Sequence, residues 1–445
     1  TPLYSSAASD VYKRQILEGR FRMSIILSLI VFSVLVLIHE FGHFLLAKKN
    51  GIGVTEFSLG MGPRIVSFNK GGTRYSWKLI PFGGSCMMVG EDDESEREDA
   101  FGKKSVWARI SVVAAGPIFN FILAFVLSVV YIGLEGYDQA TVNVVNEGYA
   151  AESAGLKEGD VITEYDGKKI VIYRDLWLYQ YVNPVDKNPV KIKYERNGKE
   201  YSTTITPNEY YSIGVSYYAD DNECKITVVK DSPMADAGIE NDDIITAVNG
   251  EKIGSGKELN KYMAATPMDG SDIKITVKRN GEEHEYTVTP KKAGYTQGFD
   301  YGKRVKANPL QVIRYSFTEL RYDMEATFTG FKMLFTGKAS KDDVSGPVGI
   351  VKIVGDSYEQ TKDYGAYYVF LQISYLVILF SVNLGVLNLL PFPALDGGRL
   401  VFLFIEAIRG KAVPKEKEAI VHFAGMIILM LLMVLILFND ISKFF

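Results

Sequence analysis

Cysteine and histidine are both scarce in this chain of 445 residues. The two cysteines, Cys86 and Cys224, exclude a framework of several disulfides and a zinc site built mainly from thiolates. The net charge of −4 provides no basic surplus, which argues against nucleic-acid binding. Any histidine-based metal site must draw on four side chains. These are His39, His43, His284 and His422.

Charged residues are nearly absent from four segments, each of which has the roughly 20 apolar residues that a membrane-spanning helix needs. The segments are about 24–46, 111–134, 367–390 and 419–438. Lys and Arg number ten in the loop 47–109 and five in the loop 399–418, whereas the C-terminal tail has only Lys443. Short basic loops favour the cytoplasmic side. We therefore predict a multi-pass membrane protein with both loops cytoplasmic, both termini outside, and residues 135–366 extracytoplasmic.

Residues 1–22 differ from the sequence that follows them. They show no apolar period, and their basic residues oppose the predicted orientation, whereas Met23 opens a clean hydrophobic run. We expect 1–22 to be a non-native or disordered leader.

The first apolar segment contains His39-Glu40-Phe41-Gly42-His43. On a helix His39 and His43 lie on one face, so both imidazoles can bind one Zn²⁺. Glu40 can then take a proton from water and pass it to a leaving amine. Ionisable groups are costly inside a spanning helix, which favours a functional role over coincidence. The position along the span predicts a site near the cytoplasmic face.

A catalytic zinc site usually has three protein ligands and one open position. His284 falls in the outer region, where a surface position is expected. His422 begins the last span, either as a relay or supporting group or as an ordinary interfacial histidine. Asp396 is the better candidate for the third ligand, with an ordinary helix-exit loop as the alternative.

The sequence around Asp396, "NLLPFPALDGGRL" (388–400), supports this choice. Pro391 and Pro393 interrupt the third span near its inner end, and two glycines after Asp396 permit a turn. The carboxylate would then lie on the same side of the membrane as the histidines.

The outer region contains an internal repeat with an offset of 83 residues, 149–170 against 232–253. Each copy has an Ala-Gly pair, an Asp followed by two aliphatic residues, a tight-turn dipeptide and then alternating strands. This pattern is typical of two tandem PDZ domains, about 141–208 and 211–292. They either bind extended peptides, including peptide C-termini, at a sheet edge or only shield the membrane site.

Residues 308–337 carry apolar side chains at spacings of three and four, with charged residues between them. The segment is too polar to span. We predict a helical membrane-surface region over 293–366, with a helix of a soluble core as the equal alternative for 308–337.

The two metal motifs together resemble those of the site-2 protease family. His-Glu-x-x-His lies in the first span, and Asn-x-x-Pro-x-Pro-x-Leu-Asp-Gly lies at the end of the third. Four spans with an outer tandem PDZ insert are similar to the regulator of sigma-E protease branch. Further matches are "FSLGMGPRI" (57–65), "AAGPIFNFILA" (114–124) and "SGPVGI" (345–350).

The resemblance implies a role for each matching residue. His39, His43 and Asp396 are the expected zinc ligands, Glu40 is the expected general base, and Asn388 is expected to position substrate, with Pro391 beside it. Asn120 matches a second-span asparagine, for which a helix-packing role is equally open. Residues 80–91 match a membrane-associated β-hairpin beside the active site. Gly83 and Gly84 are its expected substrate contacts, although the sequence from Ser85 on departs from the family pattern.

The overall prediction is a polytopic α-helical membrane protein with four transmembrane helices and an extracytoplasmic insert of two tandem PDZ-like α/β domains. Its divisions are the leader 1–22, the first two spans with the hairpin loop (23–134), the two PDZ units, the region 293–366, and the last two spans (367–445). The resemblance implies an intramembrane zinc metalloprotease of the bacterial cell membrane. The expected substrates are single-span proteins in the lipid bilayer, such as anti-sigma factors and remnant signal peptides. The alternatives are an ion or solute transporter, which would predict inverted repeats among the spans, and a catalytically inactive PDZ scaffold.

Overall fold

The computed structural model describes residues 3–91, 95–339 and 344–443, together with their side chains except at 3–22, 81 and 82. The chain forms two compact units, one of Thr1–Gly136 with Lys306–Phe445 and the other of Tyr137–Val305.

The first unit is mainly helical, and the second is mainly β-sheet. The first unit begins with α1 (Leu3–Lys49), β1 (Val54–Lys70), β2 (Thr73–Met88) and α2 (Val106–Glu135). The second unit contains β3 (Tyr137–Val145), α3 (Ala150–Ser153), β4 (Val161–Tyr165), β5 (Lys168–Lys169), α4 (Tyr173–Val182), β6 (Val190–Arg196), β7 (Lys199–Ile205), β8 (Asn208–Ser212), β9 (Val215–Tyr217), β10 (Ile226–Val228), α5 (Pro233–Asp236), β11 (Ile244–Val248), β12 (Glu251–Lys252), α6 (Gly256–Ala265), β13 (Ile273–Arg279), β14 (Glu282–Val288), β15 (Lys291–Thr296) and β16 (Phe299–Val305). The first unit resumes with α7 (Pro309–Phe335), α8 (Pro347–Thr361), α9 (Ala366–Leu389), α10 (Asp396–Arg409) and α11 (Lys415–Ser442).

Four helical segments of the described chain are long and apolar enough to cross a membrane. They are Met23–Lys49 within α1, and the whole of α2, α9 and α11. Each of the four predicted segments thus corresponds to a helix long and apolar enough to cross a membrane. Residues 3–22, which we expected to be a non-native or disordered leader, are helical in their backbone and form the first part of α1.

The spans α1, α2 and α9 pack together through small and branched side chains. Val31 and Leu35 of α1 meet Val377 of α9, while Ala124 of α2 packs with Val382 of α9. The helix predicted over 308–337 is α7, whose Leu320 joins the cluster of Ala124. Its apolar spacing gives it one face for these spans, on which the ring of Phe317 lies 4.5 Å from the ring of Phe125 of α2, while Leu310 near its start is exposed.

Helix α11 packs far less than the other three spans, and Gly425 and Asp440 are its buried residues. The carboxylate of Asp440 accepts hydrogen bonds from the backbone N–H groups of Gly346 (2.9 Å) and Gly349 (2.8 Å). These groups lie at the start of α8, where backbone donors have no partner inside the helix. Asp440 therefore caps α8 from the end of the last span.

Strands β1 and β2 form more than a simple hairpin. Glu56, near the start of β1, pairs with Arg74 on one side and with Met87 on the other. The long β2 thus bends so that its two ends flank the start of β1. Residues 84–88 of β2 are left as an outer strand among the described residues.

The second unit contains two similar halves that reproduce the 83-residue repeat. In the first half Ile162 of β4 pairs with Tyr194 of β6, and in the second Ile245 of β11 pairs with Val277 of β13. Each half also has its own buried apolar cluster. The register of the sheet thus follows the sequence repeat residue by residue.

A buried ion pair recurs at the same place in both halves. Asp160 accepts two hydrogen bonds from Arg196, each 2.6 Å, and Asp243 accepts two from Arg279 at 2.7 and 2.8 Å. Burial is the largest single influence on the Asp243 carboxyl and acts to raise its pKa, but the hydrogen bonds from Arg279, the backbone N–H of Glu240 and the charge of Arg279 together outweigh it, so its pKa lies below the ordinary value.

The first half is completed by a strand that follows the second half in sequence. Strand β16 pairs with β3 through Tyr301 and Val142, and Phe299 joins the apolar cluster of the first half. Residues 293–305 open the range 293–366 that we expected to be helical. They instead form most of β15 and all of β16, because the alternation of tyrosine and phenylalanine with polar residues suits a half-buried sheet.

Candidate metal centre

Three side chains that the sequence places far apart converge in the first unit. His39 and His43 lie one turn apart in α1, and their Nε2 atoms are 3.2 Å from each other. Asp396 is the first residue of α10, and its Oδ2 lies 3.1 Å from Nε2 of His39 and 3.5 Å from Nε2 of His43. They form the one group of three or more potential metal ligands found among the described residues.

The spacing of these three atoms fits a tetrahedral zinc ion. With Zn–N and Zn–O bonds of about 2.0–2.1 Å, two ligand atoms of a tetrahedral site are about 3.3 Å apart. The observed separations of 3.1, 3.2 and 3.5 Å bracket that value. Oδ2 of Asp396 is also buried without a hydrogen-bond partner, as a carboxylate oxygen reserved for a cation would be.

The outer ring nitrogens of both histidines contact helix α2. Nδ1 of His43 donates to the backbone carbonyl of Val112 at 2.9 Å, which leaves Nε2 as the metal-binding atom. Nδ1 of His39 lies 3.1 Å from the side-chain amide of Asn120.

The orientation of the Asn120 amide follows from the ring tautomer that metal binding needs. If His39 binds a metal through Nε2, its proton is on Nδ1, and an amide Nδ2 at 3.1 Å would set two donors against each other. Exchanging the two atoms, which have nearly the same shape, puts Oδ1 opposite Nδ1–H of His39. Asn120 then fixes the ring with Nε2 free to bind a metal. Its backbone carbonyl accepts from Oγ of Ser381 at 2.8 Å, so the asparagine also links α2 to α9.

Two glycines allow α1 and α2 to approach closely enough for these contacts. A Cβ at Gly42 would collide with the carbonyl of Ala115. A Cβ at Gly116 would collide with Nε2 of His43 and lie 2.8 Å from Cε1 of His39. Small residues at such crossings are typical of membrane helices. Here they also make room for the imidazole rings.

The turn that carries Asp396 is tightly built. Ala394 has φ +78°, a left-handed conformation that costs an ordinary residue about 1–2 kcal/mol. A Cβ at Gly398 would lie 3.0 Å from the backbone carbon of Phe392, so the helix starts directly against the preceding turn. Nδ1 of His422, from α11, accepts a hydrogen bond from the N–H of Ala394 at 2.9 Å.

Glu40 and the outer strand of β2 share a cavity with the three candidate ligands. The cavity has a volume of about 230 Å³. It is lined by His39, Glu40, His43, Gly84, Ser85, Cys86, Met88, Glu91, Val113, Asp396 and Arg399. A Cβ at Gly84 would lie 3.1 Å from Cγ of Glu40, so the outer strand runs directly alongside the helix that bears the motif.

The remaining predicted residues lie at varying distances from this cavity. Gly83 is next to the lining residue Gly84 and has φ +86°. Asn388 is the penultimate residue of α9 and Pro391 lies just beyond that helix, but neither is among the lining residues. His284 lies in β14 of the second unit. The contributions of Gly116, Ser381 and the Val112 carbonyl were not predicted, and only the match of "AAGPIFNFILA" hinted at that part of α2.

Comparison with known proteins identifies the family. The family model described as "Peptidase family M50" matches residues 27–432. The chain belongs to peptidase family M50. The predicted membership of the site-2 protease family, with its metallopeptidase activity, is thereby confirmed.

Relatives that match this M50 chain over nearly their whole length are named as proteases, and several of them as zinc metalloproteases. Zinc metalloprotease RasP of Geobacillus kaustophilus is 34% identical, over 95% of this chain and 98% of the relative. Regulator of sigma-W protease RasP of Bacillus subtilis is 32% identical, over 96% and 100%. A putative zinc metalloprotease of Fusobacterium nucleatum is 31% identical, over 95% and 100%.

Similarity to solved structures is limited to small parts of the chain. The PDZ domain of HtrA3 bound to a phage-derived ligand matches 19% of this chain and 88% of that domain, with 20% identity and a TM-score of 0.16. The PDZ domain of EpsC from Vibrio cholerae matches 18% and 94%, with 18% identity and a TM-score of 0.13. Likenesses of this extent do not establish the fold of the second unit.

Proposed function

We propose that this chain is a zinc-dependent intramembrane endopeptidase that cleaves the spanning segments of single-span membrane proteins. The observation that carries the proposal is the convergence of His39, His43 and Asp396 at zinc-ligand separations, with Glu40 in the same cavity and two of the ligands inside a spanning helix.

The residues of this site have separate roles in the proposed reaction. His39, His43 and Asp396 hold the zinc, while Asn120 and the Val112 carbonyl fix the two rings. When bound, zinc supplies a Lewis acid that polarises the scissile carbonyl and acidifies water. Glu40 accepts the proton of the attacking water and returns it to the leaving amine nitrogen.

The outer strand of β2 supports a binding mode for an unwound substrate. Carbonyls in a helix are already hydrogen-bonded, so a spanning substrate must open locally before cleavage. Residues 84–88 offer an edge with unpaired backbone groups among the described residues, and Gly84 lies against Glu40. An extended segment that adds to this edge would pass beside the ligands. Gly83 and Gly84 keep this edge free of bulky side chains, while Asn388 and Pro391 are proposed to act on substrate from the end of α9.

The orientation of the protein in the membrane is also part of the proposal. The basic loops 47–109 and 399–418 face the cytoplasm, so the site lies near that face and the second unit lies outside. Water then enters from the cytoplasmic side. The substrates are single-span proteins of the bacterial cell membrane, of the anti-sigma-factor and remnant-signal-peptide classes. Neither the transporter nor the inactive-scaffold alternative accounts for a complete set of three ligands and a base.

The two halves of the second unit are proposed to be tandem PDZ-like domains, the first of them completed by β16. A groove of about 760 Å³ is lined by β9 and α6 of the second half, including Val215 and Met263, and by Val144 and Tyr149 of the first half. Gly214, which precedes β9, has φ +75°, and β9 pairs with β10 alone among the described strands. This arrangement supports binding of an extended peptide C-terminus, with steric exclusion of bulky substrates as the alternative role.

A pair of peptides distinguishes these two roles. A hydrophobic peptide with a free C-terminus should bind the wild-type chain, its amidated form should bind weakly, and Val215→Arg should remove the difference. Failure of both peptides to bind the wild-type chain would leave only the steric role.

The protease proposal is tested on the purified full chain in proteoliposomes. The wild type should hold about one zinc, as one three-ligand site implies. Asp396→Ala should lose most of it, and Glu40→Gln should keep it but lose cleavage of a co-reconstituted single-span substrate. Asp356→Ala, at an exposed position in α8, is the matched control and should behave like the wild type. Full zinc retention by Asp396→Ala, or undiminished cleavage by Glu40→Gln, would contradict the assigned roles.

A further inference from the structure

His422 of α11 contacts the backbone of the turn that carries Asp396. Its Nδ1 accepts the hydrogen bond from the N–H of Ala394, 28 residues earlier in the chain. This contact connects α11, the least packed of the four spans, with the turn that opens α10. The proposed reaction makes no use of it.

The face of α11 that bears His422 is shaped to this turn. Three residues further along, a Cβ at Gly425 would lie 2.5 Å from the carbonyl oxygen of Pro393 and 2.7 Å from its carbon. The ring of His422 packs on Phe402 of α10, with ring centroids 5.5 Å apart. The imidazole is therefore held between the turn and the helix that follows it.

The contact falls where the turn has a strained conformation. Ala394 is a non-glycine residue with φ +78°, and such a conformation persists only where its surroundings hold it. Asp396 follows two residues later. A relaxation of Ala394 toward ordinary backbone angles would therefore redirect the start of α10 and move the carboxylate away from the histidines.

The hydrogen bond also defines the state of the His422 ring. Because Nδ1 accepts, it must carry a lone pair, so the neutral ring bears its proton on Nε2. Oε1 of Glu418, one turn earlier in α11, lies 3.8 Å from Nε2.

We propose that His422 is a positioning residue for the metal site. Its Nδ1 holds the turn at Ala394 so that Oδ2 of Asp396 stays within 3.1–3.5 Å of both Nε2 atoms. The inference rests on the proposed function, because it takes Asp396 to be the third ligand.

The test compares substitutions of His422 that place a hydrogen-bond acceptor at the position of Nδ1, place it elsewhere, or remove it. In His422→Asn the side-chain oxygen falls near that position. In His422→Gln it falls further out, near the position of Nε2, and His422→Leu has no acceptor. Phe423→Leu, at an exposed neighbouring position in α11, is the control. The zinc affinity of each purified full chain is measured by chelator competition, and the absorption spectrum of the Co²⁺-substituted protein reports the ligand geometry.

We expect His422→Leu and His422→Gln to bind zinc about 10- to 100-fold more weakly, the loss typical of a missing outer partner. Their Co²⁺ bands should change in position and intensity. His422→Asn and Phe423→Leu should remain close to the wild type in both measurements. Unfolding of the metal-free proteins is followed in parallel. If His422→Leu does not fold, the Asn and Gln variants decide the question, since both carry a primary amide and differ in its reach.

Two results would overturn the role of His422. One is wild-type zinc affinity in His422→Gln, and the other is equal loss in His422→Asn and His422→Gln. If either occurs while Asp396→Ala still loses zinc, the proposed function stands and only the positioning role fails. If the wild type binds no zinc, or Asp396→Ala retains it, the proposed function itself is wrong.

Discussion

Replacing Gly116 by alanine is the sharpest test of how α1 and α2 build the site. The added methyl group would collide with Nε2 of His43 and lie 2.8 Å from Cε1 of His39. Carbon atoms normally rest about 3.5–4.0 Å apart, so the rings or the helix must move by about 1 Å. Metal–ligand distances tolerate only about 0.2 Å. The ligand set cannot absorb such a shift without a loss of affinity.

The magnitude follows from the cost of overpacking. An extra methyl group in a close-packed site typically costs about 1–3 kcal/mol. If the rings yield rather than the helix, the same energy appears as a roughly 5- to 150-fold weaker zinc affinity, since a tenfold change corresponds to about 1.4 kcal/mol. If the helix yields, the metal-free protein loses stability instead.

The assay measures both quantities on the same preparations. Zinc affinity is obtained by chelator competition, and stability by thermal unfolding of the metal-free chain in detergent. Gly133→Ala is the matched control, because it lies in the same helix and a Cβ there meets nothing within 4 Å. It should leave zinc affinity unchanged and stabilise the helix by up to about 1 kcal/mol. Wild-type zinc affinity and wild-type stability in Gly116→Ala would refute the described crossing of α1 and α2.

Two further predictions concern ion pairs outside the spans. Arg279→Met should destabilise the second unit, because it removes the charged partner of the buried Asp243 carboxylate. Lys274→Met removes an exposed contact with Glu285 and should change stability little. Hydrogen exchange of β11 and β13 measures both effects. The hydrogen bond from Arg64 lowers the pKa of Glu56 from 4.5 to about 2, so this pair stabilises the β1–β2 sheet above pH 4.5 and the stabilisation is lost as the pH falls toward 2. Exchange protection of residues 54–88 should fall over that pH range in the wild type, and an equal fall in Glu56→Gln would show that another group is responsible.

The central part of the metal site could be predicted because it is encoded in local patterns. The spacing of His39 and His43 places both rings on one helical face, and their apolar surroundings mark the helix as a span. Asp396 was predicted as the third candidate ligand from the proline and glycine residues around it. Each of these signals depends on a few neighbouring residues, which a single sequence displays directly.

The residues that support the site escaped prediction because their roles depend on distant contacts. Nothing around Gly116 shows that it faces two imidazoles on another helix. The role of Ser381 likewise depends on which face of α9 meets the site, and for His422 the sequence left a supporting role and an ordinary interfacial position both open. Sequence periodicity indicates that a helix has an apolar face but does not identify its neighbour.

The outer region shows the same division between local and distant information. The 83-residue repeat predicted two similar units, whereas the pairing of Asp160 with Arg196 and of Asp243 with Arg279 was not predicted. The pairing of β16 with β3 joins residues about 160 positions apart across the whole second half. The sequence of such a short strand shows no feature that separates it from the helical segment that follows. Residues 293–305 were therefore assigned to the helical region.

Two polar contacts attach α11 to the rest of the first unit at a fixed separation, which can be compared with the thickness of a bilayer. His422 holds one end to the Ala394 turn, and Asp440 holds the other end to α8. The two residues are 18 positions apart, which in a helix corresponds to about 27 Å, close to the roughly 30 Å of a typical hydrocarbon layer. A thicker or thinner membrane cannot be matched by sliding this helix without straining one of its two attachments. Lipid chain length should therefore act on the geometry of the Asp396 turn, and the protein should respond to membrane thickness as well as to its substrates.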